Sequence, residues 1–187
     1  SLFRKLHLED VDYSGISDLL IGPDSAYQGK AVTPNRSMEI MHNATSLARH
    51  WKISPQQFDC LLGEIIAEAN RHRNQYGMLY IGTPVIDGGD KTLLSLEKVS
   101  TASFYVSILG KRGEQAWPLP TVTTLYLDDD DSERYFILFL TEYVGYACIG
   151  RYLDSDHSLA AFHTSDWHFV ESMIGKLQEQ HNLRRPF

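Results

Sequence analysis

Residues 134–152 read Arg-Tyr-Phe-Ile-Leu-Phe-Leu-Thr-Glu-Tyr-Val-Gly-Tyr-Ala-Cys-Ile-Gly-Arg-Tyr, the most apolar stretch of the chain. Aromatic and β-branched side chains dominate it, and such side chains pack well on a pleated surface. Thr141-Glu142 and Gly145 interrupt the run, which predicts two neighbouring strands rather than one long element. Nearly every position is apolar, so both faces of the pair must be covered. The stretch locates a core and names no reaction.

The clearest helix covers residues 54–76. Ser54 suits the N-cap, Pro55 the first helical position, and Gln57 completes a capping box. Phe58, Leu61, Leu62, Ile65, Ile66 and Ala69 then form one apolar stripe. Gly77 is the expected stop, with His72 and Arg73 in the last turn. A strand from Met78 to Val85 follows at once, an α/β signature. Further strands are expected over 103–109, 121–127 and 159–163, and a short helical turn near 93–96. A closing helix is expected after Thr164 or Ser165, with Phe169, Val170, Met173, Ile174 and Leu177 on its apolar face.

The first 35 residues read as an irregular arm with a short helix at 16–20, and 36–51 as a helix. The expected organisation is therefore an N-terminal segment over 1–53 and an α/β unit over 54–187. That unit should hold one mixed, largely antiparallel sheet of about six strands, with three or four helices packed on it.

Charge narrows the function. A net charge of −7 and a pI of about 5.5 oppose sequence-independent binding of nucleic acid, which needs a basic surface. No apolar run approaches the ~20 residues of a membrane span. The first residues lack a signal-peptide core, so the expected compartment is the cytoplasm. There Cys60 and Cys148, both inside apolar patterns, are expected as buried thiols rather than a disulfide.

Candidate chemistry is sparse, and no motif names a cofactor. The run Asp128-Asp129-Asp130-Asp131 lacks the alternation of a calcium loop and reads as a solvated connection. Asp87-Gly-Gly-Asp with Lys91-Thr92 fails the spacing of a phosphate loop. His157, His163 and His168, with Asp156 and Asp166, crowd one segment and are the candidate metal ligands. Neither cysteine has a histidine beside it in sequence, and no Gly-x-Ser-x-Gly occurs. Tyrosines are plentiful, and each brings an apolar body with a polar tip, suited to a small-molecule cavity or an interface.

Several short motifs recur in a familiar order. Glu68-Ala-Asn-Arg-His-Arg leads into Leu79-Tyr-Ile-Gly-Thr-Pro, and Leu119-Pro-Thr-Val-Thr-Thr-Leu-Tyr-Leu precedes an acidic stretch. Glu133-Arg-Tyr-Phe-Ile-Leu, Gly145-Tyr-Ala-Cys-Ile-Gly-Arg and Phe162-His-Thr-Ser-Asp follow. Over residues 54–180 the chain resembles the DICT sensory domain, a bacterial module found in diguanylate cyclases and two-component systems. The stretch 22–36 departs from that pattern. The resemblance implies a non-enzymatic regulatory input module, often cyanobacterial or actinobacterial, working beside a kinase, response regulator, cyclase or GAF partner. It carries no catalytic residues.

The leading expectation is thus a signalling module that binds a small molecule or a partner protein. A small-molecule ligand and a homodimer are both compatible with it. Its pocket is expected between the aromatic sheet and the 54–76 helix, lined by Tyr80, Tyr105, Trp117, Tyr146 and Arg151. Two rival readings stay open: a protein-interaction adaptor without a ligand, and a metal-dependent enzyme using His157, His163 and His168.

Overall fold

The computed structural model describes residues 51–128, 134–153, 155 and 157–183. The arm expected over 1–35, the helix expected from residue 36 and the acidic run 129–133 lie outside the described residues.

Among the described residues the strands are β1 (Trp51–Ile53), β2 (Gly77–Ile86), β3 (Phe104–Arg112), β4 (Thr123–Tyr126), β5 (Arg134–Thr141), β6 (Gly145–Leu153) and β7 (Ser158–Thr164). All seven join one sheet in the order β1-β7-β6-β5-β2-β3-β4. Neighbours run antiparallel from β1 across to β2, and parallel from β2 to β4. The helices are α1 (Pro55–His72), α2 (Lys91–Leu94) and α3 (Trp167–Gln180), and a 3₁₀ turn, Ser95–Lys98, continues α2. This is the mixed, mainly antiparallel α/β fold expected, with seven strands instead of about six.

The additional strand is β1. Trp51 was expected to close a helix; its backbone instead pairs with Ala161 of β7. Three residues make too short a pattern to read, and the pairing is long-range. β1 thereby belongs to the sheet of the unit expected from residue 54 onward.

α1 begins as its sequence dictates. Ser54 Oγ accepts from the Gln57 backbone N–H at 3.1 Å, and Gln57 Oε1 accepts from the Ser54 N–H at 2.8 Å. It ends earlier than expected, at His72. Gly77 is no helix stop but the first residue of β2, paired on both sides with Phe104 and Thr141. A Cβ there would collide with the Phe104 ring, so the glycine serves close approach.

Alternation in the strands divides the core in two. On one face Phe58, Leu62, Ile65, Ile66 and Ala69 of α1 pack with Leu93 and Leu96 over Leu79, Ile81, Val106, Ile137 and Phe139. On the other face Phe169, Val170, Met173, Ile174 and Leu177 of α3 pack over Leu138, Leu140, Ala147, Ile149 and Phe162. Each such aliphatic or aromatic side chain contributes about 1.5–3 kcal/mol by leaving water. The β5–β6 pair is buried on both faces, as its composition requires.

Candidate functional site

The same alternation sorts the expected pocket residues. Tyr80 lies between Leu79 and Ile81, which face α1, so its ring points to the α3 face. Tyr105 joins it there, with ring centroids 5.6 Å apart. Tyr146 and Trp117 pack with the α1-side core instead, the indole Nε1–H donating to the Leu119 carbonyl at 3.1 Å. Arg151 is exposed near the outer end of β6. The five residues therefore do not line one pocket. Tyr146 and Trp117 lie on the α1 side of the sheet, and Tyr80 and Tyr105 form a separate pair on the other.

That pair belongs to the more distinctive arrangement. Tyr80 is fully buried, and its hydroxyl accepts a hydrogen bond from Gln178 Nε2 of α3 at 2.8 Å. Burial pushes the phenol up to about 12, partly offset by the Gln178 bond and reinforced by Tyr105. Ser107 is the register partner of Tyr80, and Thr123 that of Ser107. The three residues stand in one row across β2, β3 and β4, on the face that carries Tyr105 and Leu125. Their exposure changes along the row: Tyr80 and Ser107 are buried and Thr123 is exposed. Among the described residues, Ser107 Oγ has no hydrogen-bond partner. An unmade hydrogen bond in such a place costs about 1–3 kcal/mol.

On the α1 face, Cys148 and His163 are register partners on β6 and β7. Directly opposite residues have Cβ atoms about 4.5–5.5 Å apart. Tyr146, two residues before Cys148, has its ring centroid 6.2 Å from that of His163. Burial raises the Cys148 thiol to about 12, lowers the His163 imidazole, and raises the Tyr146 phenol beyond the ordinary phenolic range. All three are thus held neutral near pH 7. The thiolate is the nucleophilic form of cysteine, and this site opposes it. Cys60, expected to be buried, is exposed. It sits between the stripe positions Phe58 and Leu62 and points away from the sheet.

The candidate metal ligands are dispersed. His157 is exposed on the turn before β7, where its Nδ1 is 2.8 Å from the Tyr152 hydroxyl. His163 is buried toward the far end of β7, about 20 Å along the strand. His168 is exposed on the first turn of α3. Asp166 caps that helix, accepting from the Phe169 N–H at 3.1 Å; Thr164 or Ser165 was expected to do so. Asp156 lies outside the described residues. Among the described residues no group of three or more His, Cys, Asp or Glu is placed to hold a metal ion. Asp87 braces its own loop. Its carboxylate accepts from the backbone N–H groups of Gly89 and Gln115, at 2.8 and 3.2 Å, and is held below its usual range by them.

Gln178 and Ser107 went unread in the sequence. Gln178 carries a usable signal, since it continues the Val170, Ile174 spacing and puts an amide on the apolar stripe. Ser107 looks like one polar break in an apolar strand, and only the sheet register pairs it with Tyr80. Compared with family models, curated proteins and solved structures, the chain has no significant match.

Proposed function

We propose that this chain is a non-enzymatic sensory and regulatory module of signal transduction, as its DICT-like motifs imply. It binds a small molecule or a partner protein and passes the change on through α3. In that role it works in the cytoplasm, beside a kinase, response regulator or cyclase. The observation that carries this reading is the buried Gln178–Tyr80 hydrogen bond. It ties the chain's last described helix to the middle of the sheet, where Tyr105 and Ser107 adjoin it. A ligand can shift such a domain only by binding one arrangement better than another. Anything that engages Tyr105, whose ring lies beside the buried Tyr80, has a route through the Tyr80–Gln178 bond to α3 and out of the domain.

The test begins with native mass spectrometry of protein purified gently from its own cells, which reports bound compounds and co-purifying chains. The bound and stripped forms are then compared by amide hydrogen exchange. The proposal expects α3 to change protection on binding, and the change to shrink in Gln178→Leu. A bound species that leaves α3 protection unaltered, or that is chemically turned over, overturns it.

A second reading has its own support. Tyr76 and Tyr143 are 71% and 76% exposed. The pairing of Gly77 with Thr141 sets both at the same end of the sheet. Two exposed tyrosines at one end of the sheet suit an adaptor surface. Replacing both by serine should abolish partner binding if that end is the interface, and leave it intact if α3 is the output.

A further inference from the structure

We infer that the N-terminal segment, residues 1–50, folds back over β3 and β4 and lays Ile16, Leu19 and Leu20 on the sheet beside α3. It thereby covers Tyr80, Ser107 and Leu109, and its release would open an apolar surface next to the Tyr80–Gln178 bond. The inference goes beyond the sensory reading and does not depend on it.

The burial of β3 carries it. Val106 and Ile108 face α1, so Ser107 and Leu109 face the other side. There Ser107 is 0% and Leu109 1% exposed within a single chain. A helix is about 10–12 Å across and neighbouring strands are about 4.8 Å apart, so one helix shelters roughly two strands. α3 stands over β5 and β6 and meets β2 through Gln178. Among the described residues no helix stands over β3 or β4 on that face. Side chains in the middle of an uncovered sheet keep their outer ends in water. The cover therefore belongs to this chain and to residues outside the described ones.

Length and chemistry single out the first fifty residues. Residues 129–133 are needed to cross from β4 to β5, three strand spacings or about 14 Å, and four of the five are acidic. Residues 184–187, Arg-Arg-Pro-Phe, offer one large apolar side chain. Residues 1–50 offer Ile16, Leu19, Leu20 and Ile21, the first three at the i, i+3, i+4 spacing of an apolar helix face. Such a face needs a surface to bury against, and half-buried Met78, Tyr105 and Leu125 along this half of the sheet provide one. Reach is no obstacle. The segment joins the sheet at Trp51 in β1, five strand spacings or about 24 Å from β3. A helix over 36–50 rises about 22 Å, which brings the residues before it close to β3.

The test is made on the full chain by paramagnetic NMR. A nitroxide is attached at Ser17→Cys in a Cys60→Ser background, which removes the exposed native thiol. Amides of 105–109 and 123–125, all within about two strand spacings of the contact, should lose more than about half their intensity, and those of residues 60–64, on α1 across the sheet, should not. Hydroxyl-radical footprinting supplies the second measurement. In the unaltered protein Leu19, Leu20 and Leu109 should be oxidised far more slowly than exposed Val85 and Tyr126. In Leu19→Asp/Leu20→Asp, oxidation of Leu109 and Tyr105 should rise about threefold or more while Ile137 stays protected, because carboxylates do not remain on an apolar face. Should the double variant fail to fold, the nitroxide and the unaltered chain still decide. Rapid oxidation of Leu19 and Leu20 in the natural chain, or absent broadening at 105–109, would overturn the assignment. So would unmasking of Leu109 by removal of residues 184–187 instead of by the substitutions. Broadening that arises only between a nitroxide-bearing copy and a separate isotope-labelled copy would overturn it too, since the cover would then come from a second chain.

Discussion

Cys148 and His163 face each other across β6 and β7, and burial holds both uncharged. In sequence neither has the other nearby. The pairing resembles a nucleophile beside its base, yet the environment works against ionising either group. The expected consequences are therefore of stability and reactivity.

The pH dependence has a definite sign. Burial lowers the folded-state pKa of His163 below its ordinary value of 6.5. Above pH 6.5 the imidazole is neutral in both folded and unfolded chains, and its environment is fully compatible with folding. As pH falls below 6.5 the unfolded chain takes the proton first, so stability is lost progressively. Urea midpoints at pH 7.5 and 5.0 should differ more for the natural chain than for His163→Gln. Equal differences would show that His163 titrates freely in the folded protein.

Thiol labelling separates the two cysteines. Cys60 is exposed and Cys148 buried. A maleimide at pH 7.5 should modify one thiol within minutes and the second only after denaturation. Peptide mapping should place the first at Cys60. Prompt labelling of Cys148 in the native chain would contradict its burial.

The Tyr80–Gln178 bond can be weighed by a double-mutant cycle. Tyr80→Phe and Gln178→Leu each leave a buried polar partner behind and should cost about 1–3 kcal/mol. The double variant should cost less than the two together, with a coupling of about 1 kcal/mol. Additive losses in chemical denaturation would mean the bond contributes nothing specific.

Glycines offer opposite outcomes within one fold. A Cβ on Gly82 would overlap the Phe136 ring, whereas one on Gly63 meets nothing within 4 Å. Gly82→Ala should destabilise by about 1–3 kcal/mol as Phe136 is forced aside. Gly63→Ala, in the body of α1, should stabilise by about 0.5–1 kcal/mol. Thermal melts of the two variants should move in opposite directions.

What could be read from the sequence follows the range of the interactions involved. The capping box of α1 and the apolar stripes of both long helices are local, and the structure repeats them, with Leu61 alone of the expected residues only partly buried. The strands of the β5–β6 pair were legible because their composition is uniform. β1 was not, because only pairing with β7 makes it a strand. Tyr80 and Tyr105 were legible as aromatics worth watching, but not as neighbours on the face opposite α1. Which face a residue takes depends on register, and register is set between distant strands. Ser107, Gln178 and the Cys148–His163 pair acquire their meaning only there.

β1 pairs with β7, and β2 reaches β5 across the intervening β3 and β4. By contrast, β5, β6 and β7 are joined in sequence and pair with their immediate neighbours. Nearby pairings close quickly and distant ones slowly. On the ribosome, β2 and β3 emerge with Leu79, Tyr80, Ile81 and Val106 ready to be buried but with no β5 to pair against. β2, β3 and β4 can pair with one another as they emerge, but the edge of β2 that takes β5 stays open until the late half is made. That interval is when the nascent chain most needs a chaperone, and slowing translation just before residue 134 should lower its soluble yield.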